Sequence, residues 1–373
     1  MESNFLLVLG LIVLGLALPL LVFLMRLLSS ILPYLYATAR IRAKEARLLK
    51  PETLEEMINT GSVAEIASLL ENTEYALAMQ GLVLESAESI EQLLERQTAD
   101  IYSEVAALVP AKVQGAFSFL RRQWDVRNVK TVLRGVRAGL AAEKIMASVL
   151  PFGTLDTELL KKMAEGSGID DVLPLLEATP YGALAQMLPA YEQEASLLPL
   201  EATLDKVLLE GMWREVEARG PLQVLQPFCA ARIDALNIQI LLRAKRDHLL
   251  LADVEPYLIS GAQASQCLIR AFDEVDDVSA LVSELEGTLY YKPVMDALAD
   301  YDRNGSLFAL EKALDETALA VGRDTAVKQP YGIAPVAGFL ARKDVEVRTI
   351  RAIARAKEAG LAPEYIRELV VNV

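Results

Sequence analysis

The side chains of this sequence best placed to do chemistry lie in one short stretch of its last third. Asp300, Asp302 and Asn304 occupy positions 1, 3 and 5 of a twelve-position calcium-binding loop, with Gly305 at position 6 and Glu311 at position 12. Oxygen ligands at this spacing bind Ca²⁺, and the glycine permits the sharp turn between them. The same stretch also fits a turn between two helices, so two interpretations stay open.

Other candidate chemical groups are sparse. The acidic run 273–277 lacks the Asp-Asp-x-x-Asp spacing of a magnesium site and is typical of a solvated helix start. Cys229 and Cys267 form no Cys-x-x-Cys pair, and the single histidine, His248, has no cysteine or second histidine near it. No GxxxxGK[ST] phosphate loop occurs. The sequence therefore predicts a protein that is not an enzyme, with no catalytic residue and no cofactor. It also predicts no metal centre, with calcium binding at 300–311 kept as the alternative.

Three patterns of polar residues recur in three copies about 110 residues apart, which indicates an internal repeat. The first signature is an acid, then a small polar residue three positions later, then an arginine nine positions after the acid. Its copies are Asp125, Asn128 and Arg134; Asp234, Asn237 and Arg243; and Glu346, Thr349 and Arg355.

Two further signatures keep nearly the same order and offsets. One is a Glu-x-Thr-x-Tyr motif, and its copies are Glu71, Thr73 and Tyr75; Glu177, Thr179 and Tyr181; and Glu286, Thr288 and Tyr290. The other is a Leu-Glu or Ile-Glu pair before an apolar run, and its acids are Glu91, Glu201 and Glu311. Glu311 is thus already explained as a repeat residue, which weakens the calcium interpretation.

The repeated arginines need a partner of their own. Val129, Val132 and Leu133 follow the spacing of a buried helical stripe, and Arg134 lies roughly 150° from its centre at 100° per residue. The repeated glutamates are the natural candidates, because a guanidinium binds a carboxylate in a bidentate fashion and could tie helices within or between repeats. A solvated surface and a contact to another protein are the alternatives. We interpret the repeated acids Asp125, Asp234 and Glu346 as helix caps.

The elements that position these residues are helices. Pro51, Pro151, Pro227, Gly305 and Pro335 separate runs with helical periodicity, and no stretch alternates as a strand would. The 373 residues, 53% of them apolar, are enough for several packed cores. We predict an all-α protein with an N-terminal anchor, 1–33, and three helical modules, 34–147, 148–253 and 254–373.

The N-terminus predicts one transmembrane helix. Residues 5–25 are uncharged and almost wholly apolar. At a rise of about 1.5 Å per residue they form a helix roughly 30 Å long, the thickness of the hydrocarbon core. Residues 1–4 lack the positive charge of a signal peptide, so we expect the segment to stay attached. Its markers are Phe5, Gly10, Gly15, Pro19 and Met25.

The charge distribution predicts where the body lies and what it avoids. Six basic residues follow the apolar segment by position 50 and none precedes it, so we expect a single-pass protein of the cell membrane with a cytoplasmic C-terminal body. The formal net charge of −14 argues against a nucleic-acid partner, because phosphate contacts need clustered Lys and Arg.

The three signatures, together with Tyr36, Arg40 and Arg42 at the start of the body, resemble the C subunit of archaeal-type and V-type rotary ATPases, known as the d subunit in the eukaryotic complex. The resemblance covers residues 34–371. It implies a pseudo-threefold funnel of three modules on the central stalk, seated on the proteolipid (c/K) ring and receiving the D and F subunits of the shaft. Such a rotor part serves ion transport, of protons or sodium ions, without a nucleotide site of its own.

The apolar N-terminal extension departs from that family's usual pattern, because the common form begins near the Tyr36 motif. Our hypothesis is that the extension descends into the lumen of the proteolipid ring and contacts membrane lipid. Two other function classes stay open. One is a membrane-anchored helical-repeat scaffold, and the other is a calcium-binding protein.

Overall fold

The structure, a computed structural model, describes the backbone of residues 2–109, 111–150, 153–194, 196–218, 220, 222–261 and 263–370. Side chains are described in the same ranges except at 2–14, 16, 26–31, 33, 111–120, 194 and 368. Within these ranges the chain forms helices and connecting turns, without any strand. The predicted all-α class is therefore confirmed.

The helices follow one another along the chain with short connections. They are α1 Glu2–Glu45, α2 Pro51–Asn59, α3 Val63–Leu70, α4 Ala87–Leu108, α5 Ala111–Arg137, α6 Ala142–Ala147, α7 Thr157–Ala164, α8 Ile169–Val172, α9 Leu188–Glu194, α10 Leu198–Glu217, α11 Gln226–Arg246, α12 Leu251–Val254, α13 Ser265–Ala271, α14 Val278–Ser283, α15 Tyr291–Asn304, α16 Phe308–Lys328, α17 Ala334–Glu358 and α18 Pro363–Leu369. Short 3₁₀ segments lie at Leu173–Leu176, Gly182–Met187, Gln223–Leu225 and Glu255–Tyr257.

Local chemistry explains where many helices begin. Ser62, Ser86 and Asp156 precede α3, α4 and α7, and their side-chain oxygens accept hydrogen bonds from backbone N–H groups that would otherwise be unpaired. Prolines stand in the first turn of α2, α10, α11, α17 and α18, where a missing N–H does no harm. The breaks predicted at Pro227 and Pro335 are therefore first-turn positions of α11 and α17.

The N-terminal helix α1 contains the predicted membrane span. Among the residues whose side chains the structure describes, no helix is at once long enough and apolar enough to cross a membrane. Phe5 and Gly10 lie outside that set, so the first half of the predicted span lies outside the described side chains. Gly15, Pro19 and Met25 lie on α1 and are exposed.

Three hydrophobic clusters hold the body together, and each packs one of the long helices α5, α11 and α17 against several other helices. One packs α5 against α6–α10 through side chains such as Val129, Val132 and Leu133, all fully buried. A second packs α11 against α12–α16. The third packs α17 and α18 against α2–α4, with Ile350 and Ile353 fully buried. Each buried aliphatic side chain stabilises the fold by about 1.5–3 kcal/mol.

These clusters cross the predicted module boundaries in a regular way. We call the long helices α5, α11 and α17, which carry the repeated arginines, the arginine helices. Helices α5 and α11 each pack on helices of the next module, and α17, in the last module, packs on helices of the first. We call the packing of α17 on α2–α4 the closing junction and the other two the internal junctions. A fourth cluster, which includes Ile41, Trp124, Ile233 and Phe339, joins the first halves of α11 and α17 to α1, α4, α5 and α10. The body is thus a closed cycle.

Candidate functional site

The repeated arginines and glutamates form three ties between neighbouring modules. Arg134 donates two hydrogen bonds to Glu201, both 2.7 Å long. Arg243 donates two to Glu311, at 2.6 and 2.9 Å. Arg355 pairs with Glu91 and so links the last module to the first. These contacts lie between the helix pairs α5 and α10, α11 and α16, and α17 and α4.

In each tie the arginine side chain is more exposed to solvent than the glutamate side chain. The arginine side chains are 62%, 53% and 66% exposed, and the glutamates only about a third of that, at 19%, 22% and 21%. In each case the hydrogen bond to the glutamate is the main cause that raises the pKa of the arginine. The arrangement fixes helix against helix rather than presenting free charge.

A second row of contacts runs beside the ties. Lys130 donates to both carboxylate oxygens of Asp205 at 2.6 and 2.7 Å, and Gln239 donates to Asp315 at 3.1 Å. These are equivalent positions in two modules, five residues after the repeated acid. The third equivalent, Arg351, lies 3.7 Å from Glu91 through its Nε, and its Nη2 is shielded from solvent without a hydrogen-bond acceptor.

The prediction that the repeated acids cap helix starts is wrong. Asp125, Asp234 and Glu346 lie in the middle of α5, α11 and α17, and they are 0%, 5% and 2% exposed. The interpretation failed because each helix begins well before its acid. A buried carboxylate needs hydrogen-bond donors, and the loop that leads into the next module provides them.

The donors are backbone amides and the tyrosine of the Glu-x-Thr-x-Tyr motif. Asp125 accepts from the amides of Thr154 and Leu155 at 2.6 and 2.9 Å and from the Tyr181 hydroxyl at 3.1 Å. Asp234 accepts from the Ser265 amide at 2.7 Å. Burial raises the pKa of Asp234, and its hydrogen bonds oppose that rise.

At the closing junction the buried acid is Glu346, and its surroundings are richer. It accepts hydrogen bonds from the Tyr75 hydroxyl at 2.7 Å, the Leu49 amide at 2.5 Å and the Lys343 ammonium at 2.6 Å. Lys343 is fully buried, also pairs with Glu74, and lies 4.2 Å from the centre of the Tyr75 ring. Lys343 is not part of any repeated signature, and its place three residues before the acid was the only sequence signal for it.

The threonines and asparagines of the repeats position these groups. The hydroxyls of Thr73, Thr179 and Thr288 accept from the amide two residues later, which is that of the buried tyrosine. Asn128 exchanges two hydrogen bonds with the backbone of Leu150, at 2.7 and 3.0 Å, and Asn237 does the same with Ile259, at 2.9 Å each. The side-chain amides of these two asparagines anchor the loop that follows each of the first two arginine helices.

Other residues singled out from the sequence stand apart from these contacts. The motif acids Glu71, Glu177 and Glu286 are exposed. Tyr36 is 67% exposed on α1. Arg40 pairs with Glu104 of α4 at 3.0 Å and so links α1 to the surface of the body, whereas Arg42 pairs with Glu45 within α1 at 2.7 Å.

A fourth repeated feature, which sequence reasoning missed, ends each arginine helix. Gly139, His248 and Gly360 have φ values of 65°, 56° and 73°, in the left-handed region that terminates helices. The next residue, a leucine each time, donates its amide back to the carbonyl five residues earlier, as Leu249 does to Ala244 at 2.9 Å. The single histidine therefore occupies a glycine-type helix end, and the Gly-Leu-Ala sequence in the other two copies was the available signal.

The arginine helices and their partners line a half-open cavity of about 730 Å³, which we call the inner hollow. Its lining comes from all three modules. It includes residues of α4, α5, α6, α10, α11, α16 and α17, among them Glu91, Glu95, Trp124, Arg127, Lys130, Arg134, Asp205, Arg232, Leu319, Asp344, Arg348, Arg351 and Arg355. Among the lining residues whose side chains the structure describes, eight are basic and five are acidic. The hollow is therefore locally basic in a chain whose formal net charge is −14.

The charges inside the hollow are unevenly paired. Arg127 donates to Glu95 at 2.9 Å. Asp344 accepts from the Tyr102 hydroxyl at 3.1 Å; burial raises the pKa of Asp344, and Arg348 opposes that rise most. Burial and the neighbouring charge of Arg127 lower the pKa of Arg351.

The stretch that resembled a calcium loop does not form one. Asp300, Asp302 and Asn304 lie within α15, which ends only at Gly305, so their side chains are displayed on a helix rather than gathered around an ion. Asp300 pairs with Arg303, and Asp302 accepts from Ser279 at 3.3 Å. Over the described residues, no group of three or more His, Cys, Asp or Glu side chains is arranged to hold a metal ion. The acidic run ends in Asp277, which caps α14.

Comparison with known proteins identifies relatives along nearly the whole body. A model of the ATP synthase (C/AC39) subunit family matches residues 37–369. The chain is 35% identical to the A-type ATP synthase C subunit of Methanothermobacter thermautotrophicus over 92% of its own length and 89% of that protein. It is 33% identical to the protein of the same name from Methanobrevibacter smithii, over 93% and 90%. The corresponding protein of Haloferax volcanii is 29% identical, over 90% and 97%.

Proposed function

Since the chain belongs to the ATP synthase (C/AC39) subunit family, we propose that it is the central-stalk rotor subunit of an A-type ATP synthase. In this role its body is a pseudo-threefold funnel between the proteolipid ring in the membrane and the D and F subunits of the shaft. It transmits rotation during ion-driven ATP synthesis or ATP-driven ion transport. It performs no chemistry of its own.

The observation that carries the proposal is the closed cycle of Arg–Glu ties around the inner hollow. A part that transmits torque has to resist shear between its modules. Three ties, each joining an arginine helix to the next module, together with three hydrophobic clusters that cross the same boundaries, brace every junction. The hollow between the modules provides a seat for the end of a shaft.

The first test is the composition of the complex. The chain is tagged at its C-terminus and purified from membranes in mild detergent, and the co-eluting proteins are identified by mass spectrometry. We expect the proteolipid, the shaft proteins and the catalytic head in one assembly. Elution without any rotary ATPase component would overturn the proposal.

A second test distinguishes a rotor from a stator. A cysteine placed at the partly exposed Gln123, in the wall of the hollow, is cross-linked to a cysteine in the shaft. Because rotor parts turn together, this cross-link is expected to leave ATP hydrolysis and ion pumping coupled. A cross-link from the outer surface, at Arg270, to a part of the stator is expected to stop both. Loss of hydrolysis on the first cross-link would contradict the rotor role.

The proposal includes a membrane anchor formed by the first part of α1. Leu18, Phe23 and Met25 are 60%, 63% and 63% exposed on this helix, and contiguous exposed apolar surface favours a membrane or a protein partner. The anchor lies in the lumen of the proteolipid ring, because outside the ring it would be dragged through lipid at every turn.

Washing membranes at alkaline pH tests the anchor. The full chain is expected to remain with the lipid, and a variant lacking residues 2–30 to be released. Release of both forms would contradict the anchor. A photo-cross-linker at Leu18 then tests its position, since reaction with the lipid-facing outside of the ring would exclude the lumen.

A further inference from the structure

The walls of the inner hollow carry different residues at equivalent positions of the three modules. Two residues before the repeated acid, the arginine helices have Gln123, Arg232 and Asp344. Two residues after it they have Arg127, Leu236 and Arg348, and these also line this cavity or the smaller one that adjoins it. The scaffold repeats three times, but the charges facing the interior do not.

On the three arginine helices, the unpaired positive charge is concentrated on α11 and α17. On α5, Arg127 and Lys130 are neutralised by Glu95 and Asp205. On α11 and α17, Arg232 and Arg348 are exposed to the hollow and, among the described residues, make neither a hydrogen bond nor an ion pair. Arg351 beside them has a shielded Nη2 without an acceptor. Among the described residues of these two walls, Asp344 is the one carboxylate that lines the hollow, and its single charge offsets only part of the charge of the three arginines.

The size of the hollow favours a protein segment as the occupant. One turn of an α-helix with side chains fills roughly 400–600 Å³, from a diameter of about 10–12 Å and a pitch of about 5.4 Å. The cavity of about 730 Å³ accommodates such a turn and is far larger than an inorganic anion needs. Unpaired guanidinium groups bind carboxylates with charge-assisted hydrogen bonds.

We propose that Arg232, Arg348 and Arg351 bind an acidic side chain on the end of the shaft helix that enters the inner hollow. The inference rests on the proposed function, because it takes the shaft as the occupant. Since the three walls differ, the acidic group is satisfied in only one of three orientations 120° apart. The hollow therefore holds the shaft in place and also fixes its rotational position.

The test measures the affinity of the full chain for the purified complex of the D and F shaft proteins at low and high salt. The variant carries Arg232→Glu and Arg348→Glu. Its matched control carries Arg270→Glu and Arg323→Glu, which change the net charge equally at exposed arginines outside the hollow. Because Arg348 and Arg232 also offset the charge of the buried Asp344, thermal unfolding is measured for each variant. A second variant with Arg232→Gln and Arg348→Gln, which adds no negative charge beside Asp344, repeats the affinity measurement and is expected to weaken binding in the same direction.

We expect the hollow variant to bind the shaft about tenfold or more weakly, and the control to bind within about twofold of the wild type. The difference is expected to shrink at high salt, because salt screens the interaction. Equal affinities of the hollow variant and its control would overturn this inference alone. Failure of the wild-type chain to bind the shaft would overturn the proposed function together with it.

Calorimetry with inorganic phosphate provides the second arm. Phosphate binding by the isolated chain that is lost in the hollow variant, with shaft affinity unchanged, would identify a small-anion site and overturn the proposal. A photo-cross-linker at Gln123 checks the fixed orientation. One set of shaft peptides is expected, and three sets in equal amounts would contradict it.

Discussion

The closing junction and the internal junctions share one architecture but differ in the polar contacts at their centres. In each, a buried acid of an arginine helix meets a buried tyrosine region of the neighbouring module. At the α5 junction Asp125 and Tyr181 are 56 residues apart in sequence, whereas at the closing junction Glu346 and Tyr75 are 271 apart. By loop-closure entropy alone the longer separation costs about 1.4 kcal/mol more.

The closing junction also contains a contact that the others lack. Lys343 is buried between Glu74 and Glu346 and lies against the Tyr75 ring. At the equivalent position the internal junctions have Arg122, paired with Glu215 near the surface, and Ala231. A repeated scaffold can therefore have its strongest polar cluster at the junction whose partners are farthest apart in the sequence.

The largest effect is expected from removing that cation. Lys343→Met leaves two carboxylates, with side chains 7% and 3% exposed, without their ammonium partner. Breaking a buried ion pair on one side destabilises by about 3–5 kcal/mol. Urea unfolding measures the loss in free energy. The matched control, Arg122→Met, removes a partly exposed pair and is expected to lose about 1 kcal/mol or less.

Equal losses in the two variants would break the comparison. That result would mean that the buried cluster at the closing junction adds no more to stability than an ordinary surface contact.

A smaller difference is expected between two tyrosines at the same motif position. Tyr75 donates its hydroxyl hydrogen to a carboxylate at 2.7 Å, and Tyr290 donates to the carbonyl of Ala231 at 2.8 Å. Hydrogen bonds to charged groups contribute about 1.5–3 kcal/mol and neutral ones about 0.5–1.5 kcal/mol. Tyr75→Phe is therefore expected to lower the unfolding free energy more than Tyr290→Phe, as measured by urea unfolding. A reversed order would show that the charge of Glu346 is met by its other donors.

The pH dependence of stability tests a feature that the closing junction and the α5 junction share, a buried tyrosine with a raised pKa. Burial, and after it the charge of Glu346, raises the pKa of Tyr75; burial, and after it Asp125, raises that of Tyr181. The unfolded chain loses each phenolic proton near pH 10, while the folded chain keeps it. Stability is therefore fully present below about pH 10 and falls as pH rises toward the folded pKa.

Each such tyrosine contributes at most about 1.4 kcal/mol per pH unit to that fall, and less near pH 10, where the unfolded phenol is only half ionised. Tyr75→Phe and Tyr181→Phe are each expected to reduce the decline of unfolding free energy between pH 10 and 11 by about 1 kcal/mol. Urea titrations at fixed pH measure it. An unchanged slope in either variant would show that the tyrosine ionises in the folded protein.

The sequence predicted the helical class and the partners of the arginine ties but not the centres of the junctions. Recurrence marks Arg134 and Glu201 as a constrained pair, because exposed residues have no packing reason to recur. Recurrence does not show which module each arginine contacts. That depends on how the last module packs against the first, and these two are far apart in the sequence. Asp125 was misread as a cap because periodicity fixes the face of a helix better than its start.

Lys343 could not be predicted from the repeat because it occurs once. Its burial depends on two carboxylates, and Glu74 is itself a non-repeated residue inside a repeated motif. A single basic residue on a mostly apolar helix face is more often a solvated side chain than a buried one. A search for recurring residues leaves out a residue that occurs in only one module, such as Lys343. It leaves out the unequal walls of the inner hollow for the same reason.

The smallest effects are expected at the ties themselves. Arg134→Ala, Arg243→Ala and Arg355→Ala each remove an exposed guanidinium from a more sheltered glutamate, and surface pairs contribute about 0–1 kcal/mol. If the extra stability of the closing junction lies in its buried cluster, Arg355→Ala lowers the unfolding free energy no more than the other two. A double-mutant cycle with Glu91→Ala isolates the pair. A coupling energy for Arg355 and Glu91 well above that for Arg134 and Glu201 would instead locate the difference at the surface, where Arg351 also approaches Glu91.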